Sequence, residues 1–317
     1  MKLLIACDRT HHMLAIKDSH IKKITNEAPS LKIAVAETLE AAKKEIADAD
    51  ILLTNPWIYP GTKGAKNLKW VHTTSAGVER FPAADFKGIM LTNSSGIHAL
   101  PMAEYAAAAM LAFEKGLIAS SRSQQRHEWN RDRHTSELRG KTAGILGLGR
   151  IGTEIAKMCK ALGMKVIGVT HQNNKKLEFV DALKGNIGDV LADADYVISV
   201  LPATKETRHM LNEAAFSKMK KTARLVSMGR GTVVDEAALA EALKSGKIAG
   251  AALDVFEKEP LPKESPLWEM ENVIITPHNS SWSEKYMDRM TDVFIENLRA
   301  FLAGKKMPNE VDLQRGY

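Results

Sequence analysis

The feature that most restricts this chain is Gly147-Leu148-Gly149-Arg150-Ile151-Gly152, set between an apolar run at 143–146 and a helix-like stretch at 153–162. Another apolar run, at 165–169, follows it. Alone, three glycines at this spacing are a weak signal. Between a strand and a helix they form the turn of a βαβ unit that holds a dinucleotide. Gly147 permits the tight turn, Gly149 lets the backbone approach a pyrophosphate, and Gly152 lets the helix pack close on the strand. The helix N-terminus then offers N–H groups and a partial positive charge to the anion. A glycine-rich turn with no ligand is the weaker alternative in this context.

The same alternation extends along the chain. Short apolar runs at 3–6, 33–35, 51–54 and 70–73 read as strands, and 37–48, rich in Ala, Glu and Lys, as an exposed helix. Pro56, Pro60 and Gly61 interrupt the pattern. Pro101 opens a helix that runs to Gly116, because a first-turn residue needs no N–H. Residues 120–138 are polar and read as an irregular arm or linker. A second series of strands follows at 143–146, 166–169, 196–201, 224–227, 250–254 and 273–276. The segment 284–304 is amphipathic, with Met287, Met290, Phe294, Leu298 and Phe301 at helical spacing and Gly304 as its stop. Ala47-Asp48-Ala49-Asp50 recurs as Ala192-Asp193-Ala194-Asp195, an acidic turn before a buried strand in both halves. A chain of 317 residues exceeds the size at which one core stops growing, so two domains are expected.

Other classes fit less well. The net charge is +6, but the basic residues are interleaved with 38 acidic ones and form no aromatic-basic stripe, so a nucleic-acid partner is not expected. No apolar run approaches the length of a membrane span. Residues 1–7 resemble a lipoprotein signal ending at Cys7, but the apolar core is too short and Asp8-Arg9 follow at once. They read as a first strand, in a cytoplasmic protein. The two cysteines, Cys7 and Cys159, lack metal-type spacing, and no metal site is expected.

Three more segments fall where strands of the second series end: Ser227-Met228-Gly229-Arg230-Gly231, the stretch from Asp254 to Pro262, and Thr276-Pro277-His278-Asn279-Ser280. Ligands of open α/β sheets sit outside these ends. With WVHTTSAGV at 70–78, SSGIHALPMAEY at 94–105, ELRGKTAGILGLGRIG at 137–152, LPATKET at 201–207, MGRGTVVDEAAL at 228–239 and FLAGKKMPNEVDLQRGY at 301–317, the chain resembles the D-isomer-specific 2-hydroxyacid dehydrogenases over almost its whole length. The resemblance implies a fold of two doubly wound α/β domains, Rossmann- and flavodoxin-like, with parallel sheets and an interdomain cleft. A discontinuous substrate domain, 1–98 plus 286–317, would enclose a dinucleotide domain at 99–285. It implies a homodimer that reduces a small 2-keto acid to the 2-hydroxy acid. It puts the catalytic residues on Arg230, Glu259 and His278, and the substrate-carboxylate loop on Ser75, Ala76, Gly77 and Val78. Cofactor contacts fall on Gly147, Gly149, Arg150, Ile151, Gly152, Leu201, Pro202 and Thr207, with Asp254 on the nicotinamide side.

The chemistry asks for the same residue types. Hydride transfer to a keto carbon builds negative charge on the carbonyl oxygen, and histidine is the proton donor that titrates near neutrality. A neighbouring carboxylate orients the imidazole and favours its charged form. Arginine presents a planar fork to the substrate carboxylate and carbonyl. Alternatives stand beside these roles. Glu259, within Glu257-Lys258-Glu259, also reads as a solvated loop charge, and Asp254 as a strand end. His98 reads as a structural histidine, and Trp57, Tyr59 and Trp282 equally as cleft lining or as packing. Ser227 and His98 stand where many family members carry Asn, and Asn279-Ser280-Ser281-Trp282 replaces a run of small residues, which leaves the keto acid unnamed. A phosphite dehydrogenase-like enzyme and a non-enzymatic, NAD(H)-binding corepressor-like protein are the alternatives.

The cofactor preference is read from the end of the second strand of the dinucleotide unit. NAD users carry an acidic residue roughly 20 residues past the glycine motif, where it accepts the ribose 2′-OH. Here the segment reads Thr170-His171-Gln172-Asn173-Asn174-Lys175-Lys176, with no acid before Glu178. Thr170, His171 and Lys175 suit a 2′-phosphate, so NADP(H) is preferred, with NAD(H) as an alternative cofactor. The chain is therefore expected to have a higher kcat/KM with NADPH than with NADH at fixed keto acid, and Thr170→Asp to move the ratio toward NADH. Equal or better efficiency with NADH, or a ratio untouched by the substitution, would contradict this.

Overall fold

The computed structural model of the chain describes residues 1–11, 13–131, 135–169 and 177–313. The fold divides into two compact units, Met1–His98 together with the chain from Trp282 on, and Ala99–Ser281. The first contains β1 (Lys2–Ala6), α1 (Asp18–Glu27), β2 (Lys32–Ala36), α2 (Leu39–Glu45), β3 (Ile51–Thr54), β4 (Trp70–Thr73) and β5 (Met90–Thr92). The second contains α3 (Ala99–Glu114), α4 (Leu117–Gln125), β6 (Thr142–Leu146), α5 (Arg150–Ala161), β7 (Lys165–Val169), β8 (Ala182–Leu183), α6 (Ile187–Asp193) and β9 (Tyr196–Ser199). It continues with α7 (Glu213–Lys218), β10 (Arg224–Ser227), α8 (Glu236–Lys244), β11 (Gly250–Leu253) and β12 (Val273–Ile275). The chain then returns to the first unit with α9 (Tyr286–Leu302).

Both sheets are parallel, and both are doubly wound. The first has five strands in the order β2-β1-β3-β4-β5, the flavodoxin-like order. The second has seven, β12-β11-β10-β9-β6-β7-β8. Counted from β6, this is the Rossmann order with one further strand, and its order reverses between β6 and β9. A parallel sheet is covered on both faces, which explains why the strands read as unbroken apolar runs. Leu3 and Ile5 face a core shared with Ile24 of α1 and Met290, Phe294 and Leu298 of α9. Leu4 and Ala6 face the opposite core with Ala42 of α2. In the second unit Ile145 and Ile198 meet α3 and α5, while Leu146 and Val197 meet α6, α7 and α8.

At the C-terminus of α3, the side chain of Glu114 is only 1% exposed. It accepts the Tyr196 hydroxyl at 2.6 Å and pairs with Lys141 at 3.2 Å and Arg224 at 3.3 Å. Burial raises its pKa, but the Tyr196 and Lys141 hydrogen bonds outweigh that and leave the carboxyl below its ordinary range. The helix is thereby fixed over the first residues of β9 and β10.

Several sequence expectations are corrected. The polar segment from 120 is helical as far as Gln125, within α4. Gly116, at φ 60°, ends α3 and starts the new helix, and no proline or glycine interrupts 117–125, so polar residues simply line its exposed side. The α3 helix begins two residues before Pro101, which still falls in the first turn. The helix expected over 37–48 is α2 plus a 3-10 turn at Ile46–Asp48, because Thr38 caps it by accepting the Ala41 N–H. The α5 helix starts inside the glycine motif, at Arg150. Among the described residues, no helix is long and apolar enough to cross a membrane.

Candidate functional site

The glycine turn lies at the reversal point of the seven-stranded sheet, between β6 and α5. Gly147 has φ 103°, a conformation that favours glycine. A Cβ on Gly152 would sit 2.0 Å from the Gly147 carbonyl oxygen, so close packing of helix on turn requires glycine there. Gly149 differs. Its φ is −85°, and a Cβ on it would meet no atom of the described residues within 4 Å. The fold itself tolerates a side chain at 149, and the glycine instead keeps clear the space before the N-terminus of α5. Asn186, Asn212 and Asp235 cap α6, α7 and α8 through their side chains, whereas α5 has glycine, Gly149, at its N-cap. A cradle kept clear of side chains by Gly149, in front of a helix N-terminus, fits a dinucleotide pyrophosphate. Arg150 and Ile151 are the first residues of that helix. The next loop, with Leu201 and Pro202, is closed by Thr207, whose hydroxyl donates to the Pro202 carbonyl at 2.6 Å. Thr170, His171 and Lys175 lie outside the described residues.

The loop after β12 is organised by Asp254, which follows β11 and is fully buried. One carboxylate oxygen accepts the Thr276 hydroxyl at 2.6 Å and the Asn279 N–H at 2.9 Å, and the other accepts the Ser280 N–H at 3.0 Å. Because Thr276 spends its proton on Asp254, Tyr105 of α3 donates to the Thr276 oxygen, at 2.8 Å. Burial pushes the Tyr105 phenol up to about 12, so it stays a donor. Within this frame His278 adopts φ 52°, and its N–H donates to the Asp254 carbonyl at 2.8 Å. Its Nδ1 lies 2.8 Å from Glu259 Oε2, while Glu259 Oε1 accepts the Phe256 N–H at 3.1 Å. Glu259 is thus hydrogen-bonded at both oxygens, unlike a solvated loop charge. The His278 and Glu259 side chains are 47% and 37% exposed, so the unbonded Nε2 edge of the ring is open to a substrate.

Arg230 follows β10 in the same unit, and its guanidinium donates to the Gly229 carbonyl at 3.0 Å. A Cβ on Gly231 would fall 1.9 Å from the Phe256 carbonyl. This contact seats the Arg230 turn directly against the segment that carries Glu259. Among the described residues, no three His, Cys, Asp or Glu side chains are grouped to hold a metal ion.

Ser75, Ala76, Gly77 and Val78 follow β4 in the first unit. The Ser75 carbonyl accepts the Ser94 N–H, the Ala76 carbonyl accepts Asn93 Nδ2, and the Gly77 carbonyl accepts the Ser75 hydroxyl, at 2.9, 2.9 and 2.7 Å. With the carbonyls held, the amides of Ala76, Gly77 and Val78 donate to no protein acceptor among the described residues. Three adjacent amides left without such an acceptor are available to an anion. The sequence reading missed Tyr105, Asn93 and Ser94 as supports, although each lies in a quoted motif or next to one. His98 is buried against Tyr286, with its Nε2 3.1 Å from a hydroxyl that donates to the Thr74 carbonyl. Tyr59 packs on Phe81 and Phe86, whereas Trp57 is 63% exposed under the Arg80 guanidinium. Trp282 lies edge-on to His11.

A family model described as "D-isomer specific 2-hydroxyacid dehydrogenase, NAD binding domain" matches residues 107–280, more than half of the chain. The chain belongs to the D-isomer specific 2-hydroxyacid dehydrogenase family. The family's NAD binding domain falls within the second unit, which holds the glycine cradle. A glyoxylate reductase from Aeropyrum pernix is 38% identical, over 87% of this chain and 86% of that protein. A D-3-phosphoglycerate dehydrogenase from Methanocaldococcus jannaschii is 36% identical, over 92% of this chain and 57% of that protein. The chain spans about half the length of the phosphoglycerate dehydrogenases it matches. A solved D-isomer specific 2-hydroxyacid dehydrogenase from Xanthobacter autotrophicus Py2, in complex with NADPH and MES, has a TM-score of 0.83 at 30% identity. The match covers 100% of this chain and 99% of that one.

The glycine geometry separates ligand from fold. Gly149→Ala is expected to change the unfolding free energy by less than about 1 kcal/mol while weakening dinucleotide binding in calorimetry. Gly152→Ala is expected to cost about 1–3 kcal/mol or more of stability through overpacking. A Gly149→Ala chain that binds dinucleotide as tightly as the unaltered one would show that the cleared space is not used.

Proposed function

We propose that this family member is a reductase of small 2-keto acids, forming the D-2-hydroxy acid with NADPH in preference to NADH. The observation that carries the reading is the 2.8 Å contact between His278 and Glu259, at the same sheet edge as Arg230 and the glycine cradle. The bound nicotinamide dinucleotide supplies the hydride. Gly147, Gly149 and Gly152 with the N-terminus of α5 would hold its pyrophosphate, Leu201, Pro202 and Thr207 would add further cofactor contacts, and Asp254 would stand on its nicotinamide side. The preference for the 2′-phosphate rests on the absence of an acid at 170–176 and on Thr170, His171 and Lys175. The NADPH in the Xanthobacter relative accords with it.

In this reading the unit with β1–β5 and α9 binds the keto acid, and the central unit binds the dinucleotide. The substrate carboxylate takes hydrogen bonds from the amides of Ala76, Gly77 and Val78 and one arm of the Arg230 fork. The other arm polarises the keto oxygen, where negative charge develops. His278 Nε2 gives that oxygen its proton, while Glu259 holds the ring in place through Nδ1. The chain works as a homodimer, in which a second copy covers the segment after α4, where the Trp129 ring is 86% exposed. The two free, buried cysteines accord with a reducing cytoplasm.

The test is turnover of a 2-keto acid panel (glyoxylate, hydroxypyruvate, phenylpyruvate and branched members), followed by absorbance of the reduced cofactor. His278→Ala and Arg230→Ala should each lower kcat/KM by about 10²–10³, with dinucleotide affinity and fold kept. If both variants retained more than about a tenth of the unaltered activity, far above those losses, the assigned roles would be wrong.

A further inference from the structure

Beneath the substrate-carboxylate loop lies a polar chain that the proposed mechanism does not use. β4 places Trp70 and His72 on one face, toward the core that contains Phe294 of α9. His72 is fully buried, edge-on to Trp70 at 6.1 Å and to Phe294 at 5.3 Å. A polar ring on such a face is costly unless every nitrogen is bonded. Here both are: Nδ1 lies 2.6 Å from the hydroxyl of Thr92, its register partner on β5, and Nε2 lies 3.1 Å from the hydroxyl of Ser94.

Proton accounting gives the chain a single direction. The Trp70 indole N–H only donates, and it donates to the Thr92 hydroxyl at 2.7 Å. The Ser94 hydroxyl donates its one proton to the Thr73 carbonyl at 2.9 Å, so it accepts from His72, and Nε2 carries the hydrogen. Thr92 then donates to a bare Nδ1. A doubly protonated ring would leave the Thr92 proton without an acceptor, and burial pushes the imidazole down to about 3, which keeps it neutral. Thr92, Ser94 and Thr73 are all fully buried, so no water substitutes for a lost link. The relay ends on the residue that starts the loop. The Thr73 hydroxyl bonds Ser75 Oγ at 2.9 Å, the Ser75 hydroxyl holds the Gly77 carbonyl, and the Ser94 N–H holds the Ser75 carbonyl.

We propose that His72 is a positioning residue: as a neutral bridge between Thr92 and Ser94, it fixes the Thr73–Gly77 backbone and so aims the Ala76, Gly77 and Val78 amides at the substrate carboxylate. The inference rests on the functional reading above and deepens it. Because the loop grips the carboxylate equally before and during hydride transfer, its distortion changes substrate affinity rather than the chemical step.

The experiment compares Thr92→Val, Thr92→Ser, Ser94→Ala and His72→Phe with the unaltered chain, saturated with NADPH. It reads keto-acid kinetics and the binding of oxamate, a non-reducible keto-acid mimic. Thr92→Val and Ser94→Ala, which nearly keep the core's shape but each remove two bonds of the relay, should raise both KM and the oxamate Kd roughly three- to thirtyfold, the range of one to two net hydrogen bonds. The kcat should stay within about twofold, as loss of uniform binding requires, and dinucleotide affinity should not change. Thr92→Ser, which keeps the hydroxyl, should behave as the unaltered chain, and His72→Phe, which removes both of the ring's links, should raise KM at least as much as the other two variants. Lowered melting temperatures with unchanged KM and oxamate affinity would reduce His72 to a core filler and overturn the inference alone. An unaltered chain that neither reduces keto acids nor binds oxamate would overturn the functional reading and this inference with it.

Discussion

The site in the second unit depends on one buried carboxylate. Asp254 stands at the end of β11 with no solvent exposure, where an ionised group is tolerated only if its lone pairs are filled. The protein fills them from a single downstream loop, through the Thr276 hydroxyl and the N–H groups of Asn279 and Ser280. That requirement folds the loop around the carboxylate and holds His278 in a left-handed conformation, which costs an L-residue about 1–2 kcal/mol. The backbone bond from His278 to the Asp254 carbonyl helps to offset the cost. On this backbone the ring sends Nδ1 to Glu259 Oε2, 2.8 Å away.

The parallel sheet explains why these groups meet. Strands β9 to β12 run in one direction, so the segments carrying Leu201, Arg230, Asp254 and His278 all leave from the same edge. Glycine then brings neighbouring segments into contact, as Gly231 does against Phe256. The smaller sheet applies the same logic to a different end. There the carbonyls of Ser75, Ala76 and Gly77 are hydrogen-bonded, and the amides of Ala76, Gly77 and Val78 donate to no acceptor among the described residues.

Much of this was legible in the sequence because its signals are local. The glycine motif, the apolar strand runs and the polar residues at strand ends each declare themselves within a few residues. What escaped was short or non-local. Strand β5 has three residues and presents no period. In α1 only His20 and Ile24 are buried, too few to mark an apolar stripe. The first half of the polar arm is helical because nothing in 117–125 breaks a helix, a permissive signal rather than a positive one. Asp254 read equally as a strand end or a cofactor contact. Its partners lie more than twenty residues downstream, and only the closed loop reveals how completely they claim it. His72 reads as one polar residue in a buried strand until Thr92 and Ser94 are brought beside it.

Asp254 sets the geometry of His278, and Asp254→Asn tests this most directly. The amide keeps one acceptor but turns a donor toward the Ser280 N–H, with almost no change in volume. The measurement is kcat for 2-keto acid reduction beside dinucleotide affinity and His278 ring NMR shifts in the same variant. Displaced His278 resonances and a kcat lowered by about tenfold or more are expected, since small misplacements of catalytic groups cost factors of that order, with the fold preserved. An Asp254→Asn chain with unshifted His278 resonances and full kcat would contradict this role of Asp254.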